Sequence, residues 1–298
     1  VFTHCASGNQ VTDFFEELEK TRHLEAYFRP LKEFFMEQPN EVSLETFAHC
    51  NAGCSFCPYP TLERKGTKMS DELIDRVIDE MATFVNPFYF SPFKVSEPLL
   101  DKRMQDICER AVKYTKALIR IFTNGAPLTQ KHIDWIADLQ RVEHLWISLN
   151  SMDPVEYKTL MGIEFEKTAK RLDNLHEQDF PHRVVLSCVG FPNEPFREAC
   201  FERWPKFDSV ALQRSEWLGY THSQIDTVPD TPCGRWFELS IMASGIVSLC
   251  CMDGEGQYPL GDINNNTLLE IYNAPLLRQR REQLLSRKNY PACENCTN

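Results

Sequence analysis

The sequence predicts an α/β protein: a partial (β/α)6 TIM-like barrel with a small C-terminal hairpin-plus-helix extension. Three observations predict it. Runs of β-branched and aromatic residues alternate six times with helical periods between residues 41 and 213. A polar, turn-rich stretch, "GYTHSQIDTVPDTPCG", follows at 219–234. Beyond it lie two short strand-like runs and one amphipathic helical run.

In order, "EVSLETF" (41–47) reads as the first strand, and "DELIDRVIDEMATF" (71–84) carries the 3.6-residue period of the first crossover helix. The same alternation gives "FYFSPFKV" (88–95) and "DKRMQDICERAVKY" (101–114), then "ALIRIFT" (117–123) and "HIDWIADL" (132–139). The last three strands are "VEHLWISLN" (142–150), "HRVVLSCVG" (182–190) and "FDSVALQR" (207–214), separated by the helices "FEKTAKRLDNLHE" (165–177) and "EPFREACFERW" (194–204). Strand–helix repetition requires right-handed crossovers and a parallel sheet, and six units suit an incomplete barrel. Ligands then bind at the C-terminal strand ends. In the tail, "RWFELSIMASGIVSLCC" (235–251) reads as two strands turning at Gly245, and "TLLEIYNAPLLRQRREQLL" (267–285) as one helix. The domains expected are an N-terminal helical extension (1–40), a barrel (41–218) and a tail domain (219–298).

With 298 residues, 42% of them hydrophobic, the chain can bury a full core. A formal charge of −11 and scattered basic residues disfavour a nucleic-acid partner; "RQRREQLLSRK" (278–288) reads as a solvated helix face. No apolar run approaches the roughly 20 residues of a membrane span. The opening "VFTHCASGNQ" lacks a basic segment followed by an apolar one, so a cytoplasmic location is expected.

Twelve cysteines are many for a cytoplasmic chain, where thiols stay reduced, and they suggest metal binding. Cys50, Cys54 and Cys57 cluster in "AHCNAGCSFCPYP" directly after the first strand; Cys233, Cys250, Cys251, Cys293 and Cys296 crowd the tail. Cys5, Cys108, Cys188 and Cys200 read as small buried hydrophobes. A zinc site with His49 as fourth ligand is one reading of the first group. The other is a four-iron cluster held by three thiolates, which leaves one iron open for an external ligand.

The spacing of Cys50, Cys54 and Cys57 after a first strand resembles that of the radical S-adenosylmethionine (radical SAM) enzymes. The resemblance implies a [4Fe-4S] cluster whose open iron is chelated by S-adenosylmethionine, reductive cleavage to a 5′-deoxyadenosyl radical, and a flavodoxin- or ferredoxin-type reductant. It implies that Phe56 covers the cluster near the adenine. It also implies that Glu97 of "KVSEPLL" binds the methionine ammonium, with Ser96 replacing the usual glycine. Asn124 of "FTNG" and Ser148 and Asn150 of "WISLN" resemble the positions that approach the methionine carboxylate and ribose.

Residues 233–296 resemble the SPASM/twitch extensions of these enzymes, through the Gly245 hairpin, "SLCCMD", "LGDINNNTLLEIYN" and the closing "CENC". This implies an auxiliary [4Fe-4S] cluster on Cys233, Cys250, Cys293 and Cys296. Cys250 is preferred over Cys251 because related segments place the ligand five residues after the hairpin glycine, with an Asp three later, here Asp253. A structural zinc on the same four cysteines is the alternative.

Three functions are consistent with these residues. The first is oxidation or epimerisation of an alcohol, sugar or cyclitol carbon in natural-product biosynthesis, with Arg214, beside Ser215 and Trp217, resembling an alcohol-contacting Arg and Cys188 as a hydrogen donor facing the barrel interior. The second is radical modification of a ribosomal peptide; the 49 residues before Cys50 are shorter than the leader-binding domain common in that group. The third, from another class, is a non-enzymatic iron–sulfur or zinc-stabilised binding module, which leaves "SEPLL" without a role.

Overall fold

The computed structural model describes residues 23–190, 194–214, 216–221, 223–225 and 227–297. Residues 1–22 of the expected N-terminal extension, with Cys5, and Ser215 lie outside the described residues. The described part of that extension is a helix through residues 23–34 (α1). Six parallel strands follow in chain order: β1 (Glu41–Leu44), β2 (Phe88–Ser91), β3 (Ala117–Thr123), β4 (Val142–Ser148), β5 (Val184–Val189) and β6 (Asp208–Leu212). The helices between them are α2 (Asp71–Met81), α3 (Met104–Tyr114), α4 (Gln130–Asp138), α5 (Pro154–Met161), α6 (Phe165–Glu177) and α7 (Glu194–Arg203). The expected partial (β/α)6 barrel is present.

The two faces of each strand have different company. Val42, Leu44, Phe90, Ile121, Leu145, Ile147 and Leu186 join the main core with the helices, and each fully buried aliphatic side chain contributes about 1.5–3 kcal/mol. The alternate positions face inward and are largely polar: Arg120 bonds Glu41 and Glu143 and lies over the Tyr89 ring, and Trp146 donates to Ser187. Cys188 lies two residues after Leu186, on the core face, close enough to Cys200 of α7 to act on it electrostatically. Its expected position facing the interior is therefore corrected: strand alternation turns it toward the helices.

The tail does not form a sheet of its own. β7 (Glu238–Ile241) pairs in parallel with β1, and β8 (Ile246–Ser248) and β9 (Pro259–Asp262) extend the same sheet antiparallel, in the order β6-β5-β4-β3-β2-β1-β7-β8-β9. The hairpin turns at Gly245, whose φ of 94° suits a residue without Cβ. The single helix expected over 267–285 is two, α8 (Leu268–Tyr272) and α9 (Pro275–Gln283). Pro275 begins a new first turn because it has no N–H to continue the old one.

α5 was not expected from the hydrophobic period, yet "DPVEYKTLMG" carries its signals. Asp153 accepts from the Val155 and Glu156 amides, Pro154 opens the first turn, and Gly162 ends the helix in the left-handed region.

Candidate active site

β1 delivers the chain into the loop that bears Cys50, Cys54 and Cys57, and α5 holds that loop. Gly53 and Ser55 donate their amides to the carbonyls of Met161 and Leu160, each at 2.9 Å. Cys54 Sγ donates to Met161 Sδ at 3.5 Å, and the Ala52 amide donates to Cys50 Sγ at 3.4 Å. Burial pushes the Cys50 thiol up to about 12 and Cys57 to about 11, and raises Cys54 as well. Such thiols keep their protons until a cation displaces them. His49, the candidate fourth zinc ligand, is exposed; its ring stacks beside Phe47 and its Nδ1 lies 3.4 Å from Tyr59 Oη. Phe56 is half-buried against the main core.

Glu97 lies after β2 and is 2% exposed. Its amide donates to the His49 carbonyl at 2.8 Å, tying this loop to the cysteine loop. Its carboxylate accepts from Leu99 N–H (3.1 Å), Thr123 Oγ1 (2.8 Å) and Asn124 N–H (2.7 Å). Burial raises its pKa to about 7, and those three donors oppose the rise. A carboxylate has about four acceptor positions, so three are used and one is left. Ser96 beside it is half-buried.

Asn124 caps the mouth side of β3. Its Nδ2 donates to Asn51 Oδ1 at 2.8 Å and approaches Cys50 Sγ at 3.8 Å. Ser148 ends β4 half-buried, in register with Ser187. Asn150 is buried at φ 66°, a conformation Asn tolerates. Its Oδ1 accepts from Val189 N–H (3.0 Å) and its Nδ2 donates to Met161 Sδ (2.8 Å), so its amide is engaged within the protein. Arg214 lies two residues past β6; Gln224 and Ser223 bond its backbone, and its Nε is buried with no partner among the described residues. Trp217, three residues on, packs like Cys50 and Cys57 against the small core of Tyr59, Leu62 and Val95.

The tail cysteines meet elsewhere. Cys233, Cys250, Cys293 and Cys296 line one small cavity, walled also by Leu218, Trp236 and Leu249. Cys251 does not line it; its Sγ accepts from Arg235 Nη1 at 2.6 Å. Burial raises the Cys250 thiol and lifts Cys293 to about 11. Asp253 accepts from the Gln257 and Tyr258 amides and so shapes the turn after Cys250.

A family model of the radical SAM superfamily matches residues 44–200. The chain belongs to the radical SAM superfamily. A second model, of the SPASM iron-sulfur cluster-binding domain, matches residues 233–297. No curated protein matches the sequence. Among solved structures, the fold is similar to BtrN in complex with AdoMet and 2-DOIA (TM-score 0.63, 18% identity, 87% of this chain and 93% of that one). It is also similar to Streptococcus suis SuiB bound to precursor peptide SuiA (TM-score 0.68, 16% identity, 95% and 74%). A third is native anSMEcpe with bound AdoMet and Cp18Cys peptide (TM-score 0.60, 12% identity, 82% and 81%). Identities this low establish a shared fold.

As a radical SAM enzyme with a SPASM-type extension, the protein uses a [4Fe-4S] cluster, S-adenosylmethionine and auxiliary iron–sulfur chemistry. The non-enzymatic and zinc-module readings fall with that membership. The donor chemistry suits iron–sulfur clusters, with three thiols on one loop beside a buried carboxylate and four thiols lining a separate cavity, although among the described residues no three such groups are arranged to hold a single metal ion. Among the described residues no helix is long and apolar enough to cross a membrane. Sequence reasoning missed Met161, which touches Cys54 and Asn150, and Lys94, whose ammonium reaches the Cys250 loop. Met161 was within reach through the Asp-Pro and Gly signals of α5; Lys94 gave no signal, since its partners lie about 150 residues away in the chain.

Proposed function

We propose that this protein is a radical SAM oxidoreductase of natural-product biosynthesis that oxidises an alcohol carbon of a small molecule, such as a sugar or cyclitol, to a ketone. The observation that carries the reading is the shared cavity of Cys233, Cys250, Cys293 and Cys296. Four thiolates complete a cluster's ligation and leave no iron for substrate, which suits an electron acceptor.

Cys50, Cys54 and Cys57 would hold the first cluster with one iron open. When bound, that cluster and S-adenosylmethionine would supply the 5′-deoxyadenosyl radical for hydrogen abstraction, and the cluster held by Cys233, Cys250, Cys293 and Cys296 would supply an acceptor for the electron left once the hydroxyl proton departs. Glu97 would use its remaining acceptor position on the cofactor's ammonium. Asn124 and Ser148 stand at strand ends, from where they would contact the cofactor's polar groups. Asn150, with its amide engaged, acts by holding β4, β5 and Met161 together. Arg214 would direct its unpartnered Nε to the alcohol oxygen. Cys188 packs in the core with the helices, which argues against its returning a hydrogen atom in an epimerisation. A flavodoxin- or ferredoxin-type protein would supply the first electron, in the cytoplasm.

Cys250→Ala tests the assignment. It is expected to retain S-adenosylmethionine cleavage while losing auxiliary iron and ketone formation, with Cys251→Ala keeping both. Product at the normal rate without the auxiliary cluster would end the acceptor role. A second reading, radical modification of a peptide, is supported by the likeness to peptide-bound SuiB across 95% of this chain. Turnover of a peptide rather than an alcohol would establish it.

A further inference from the structure

Lys94 stands three residues before Glu97 on the loop after β2, yet its side chain belongs to the other end of the chain. Its ammonium donates to Ser240 Oγ on β7 (3.0 Å), to Ser248 Oγ on β8 (2.8 Å) and to the Cys250 carbonyl (2.9 Å). The residue is 4% exposed. An ammonium has three N–H groups and no acceptor, so these partners exhaust it.

All three partners are neutral oxygens. A buried cation held only by neutral groups is costly and is retained where an opposite charge lies close. Burial drives this ammonium toward its neutral form, and Cys251, Cys250 and Glu45 oppose that, in decreasing order. Glu45 is already bound by Arg64. Two arginines line the cavity: Arg235 donates to Cys251, lies 3.5 Å from Glu238 and also acts electrostatically on Cys250 and Cys233, and Arg287 donates to the Thr231 and Pro232 carbonyls. Cys251 is held by Arg235, so the cavity thiol beside Lys94 is Cys250, whose carbonyl the ammonium bonds at 2.9 Å.

We propose that Lys94 is a buried counter-cation of the auxiliary cluster, a positioning residue that seats the Cys250 loop and, alongside the arginines of the cavity, raises the cluster's affinity for an electron. A fixed positive charge in a low-dielectric site stabilises the reduced, more negative form. The loop that presents Glu97 to S-adenosylmethionine would thus also tune the electron sink. The inference rests on the auxiliary ligand set proposed above.

The test is an EPR-monitored redox titration of the reconstituted full-length chain carrying Lys94→Met, Lys94→Gln or Lys94→Arg. Both neutral variants are expected to load auxiliary iron and to lose about tenfold in electron affinity, a fall of about 59 mV for one electron. Lys94→Arg is expected to stay near wild type. An unchanged potential in a loaded neutral variant overturns the proposal, as does an equal fall in Lys94→Arg, which would mark packing rather than charge. Loss of the cluster in both neutral variants but not in Lys94→Arg upholds the need for charge; loss in all three overturns it. Failure of the ligand set is distinguishable, because it appears as auxiliary iron retained in Cys250→Ala.

Discussion

The molecule holds two groups of thiols built in opposite ways. Cys50, Cys54 and Cys57 come from one short loop whose backbone is tied to the last turn of α5. Cys233, Cys250, Cys293 and Cys296 come from three separate stretches of the tail, brought together by a hairpin and two helices that complete the barrel sheet. The first set is local and the second tertiary. In the proposed reading the first would leave a coordination position to a small molecule and carry the reactivity, and the second would be closed and serve it.

The comparison breaks most visibly at the first loop. Replacing Cys50, Cys54 and Cys57 together with Ala is expected to abolish S-adenosylmethionine cleavage and to lower bound iron from about eight to about four per chain. Iron analysis and a 5′-deoxyadenosine assay read both. Loss of all iron would show that the tail set depends on the loop.

An intermediate effect is expected at Glu97. Glu97→Gln should weaken S-adenosylmethionine binding by about 1.5–3 kcal/mol, roughly ten- to hundredfold in Kd. Its pKa is raised from 4.5 to about 7 by burial, so the folded protein holds this proton where the unfolded chain has lost it. Stability contributed by Glu97 therefore falls as pH rises from 4.5 to about 7, while cofactor affinity strengthens over the same interval as the carboxylate forms. Calorimetric titration across that range should show a slope in the wild type and none in Glu97→Gln.

The smallest expected effect sharpens the role of α5. Gly162 has φ 71°, and a Cβ there would meet Gly53 N at an ordinary 3.4 Å, so the cost of Gly162→Ala is conformational. It should be about 1 kcal/mol, a fall of about 2–4 °C in Tm by scanning calorimetry, with iron content unchanged.

The barrel was legible because each strand and most helices carry their own period, and the three clustered cysteines announce themselves by spacing. What escaped depended on direction or distance. The period predicts that Cys188 is buried but not on which side, and the neighbouring Leu186 and Cys200 show that it faces the helices. β9, "PLGD", is too short to signal, and joins the sheet only because β8 offers an edge. A single residue step separates Cys250 from Cys251, and Arg235, far from both in appearance along the chain, is what occupies Cys251. Glu97 was legible as a carboxylate; its three internal donors were not, because they come from two different loops.

The tether between the first cysteine loop and α5 bears on how the cofactor is delivered. The final carbonyls of a helix have no partner within it, and here Gly53 and Ser55 use those of Met161 and Leu160. Protein hydrogen bonds thus set the loop's backbone. A preassembled cluster handed over by a scaffold protein would meet a loop whose backbone is already fixed, and loading would need only rotation of three side chains and release of three protons. The tail set has no such independence: its acceptor must wait until Cys233 and Cys296 have been folded onto the hairpin, so the two centres should fill in sequence, the loop first.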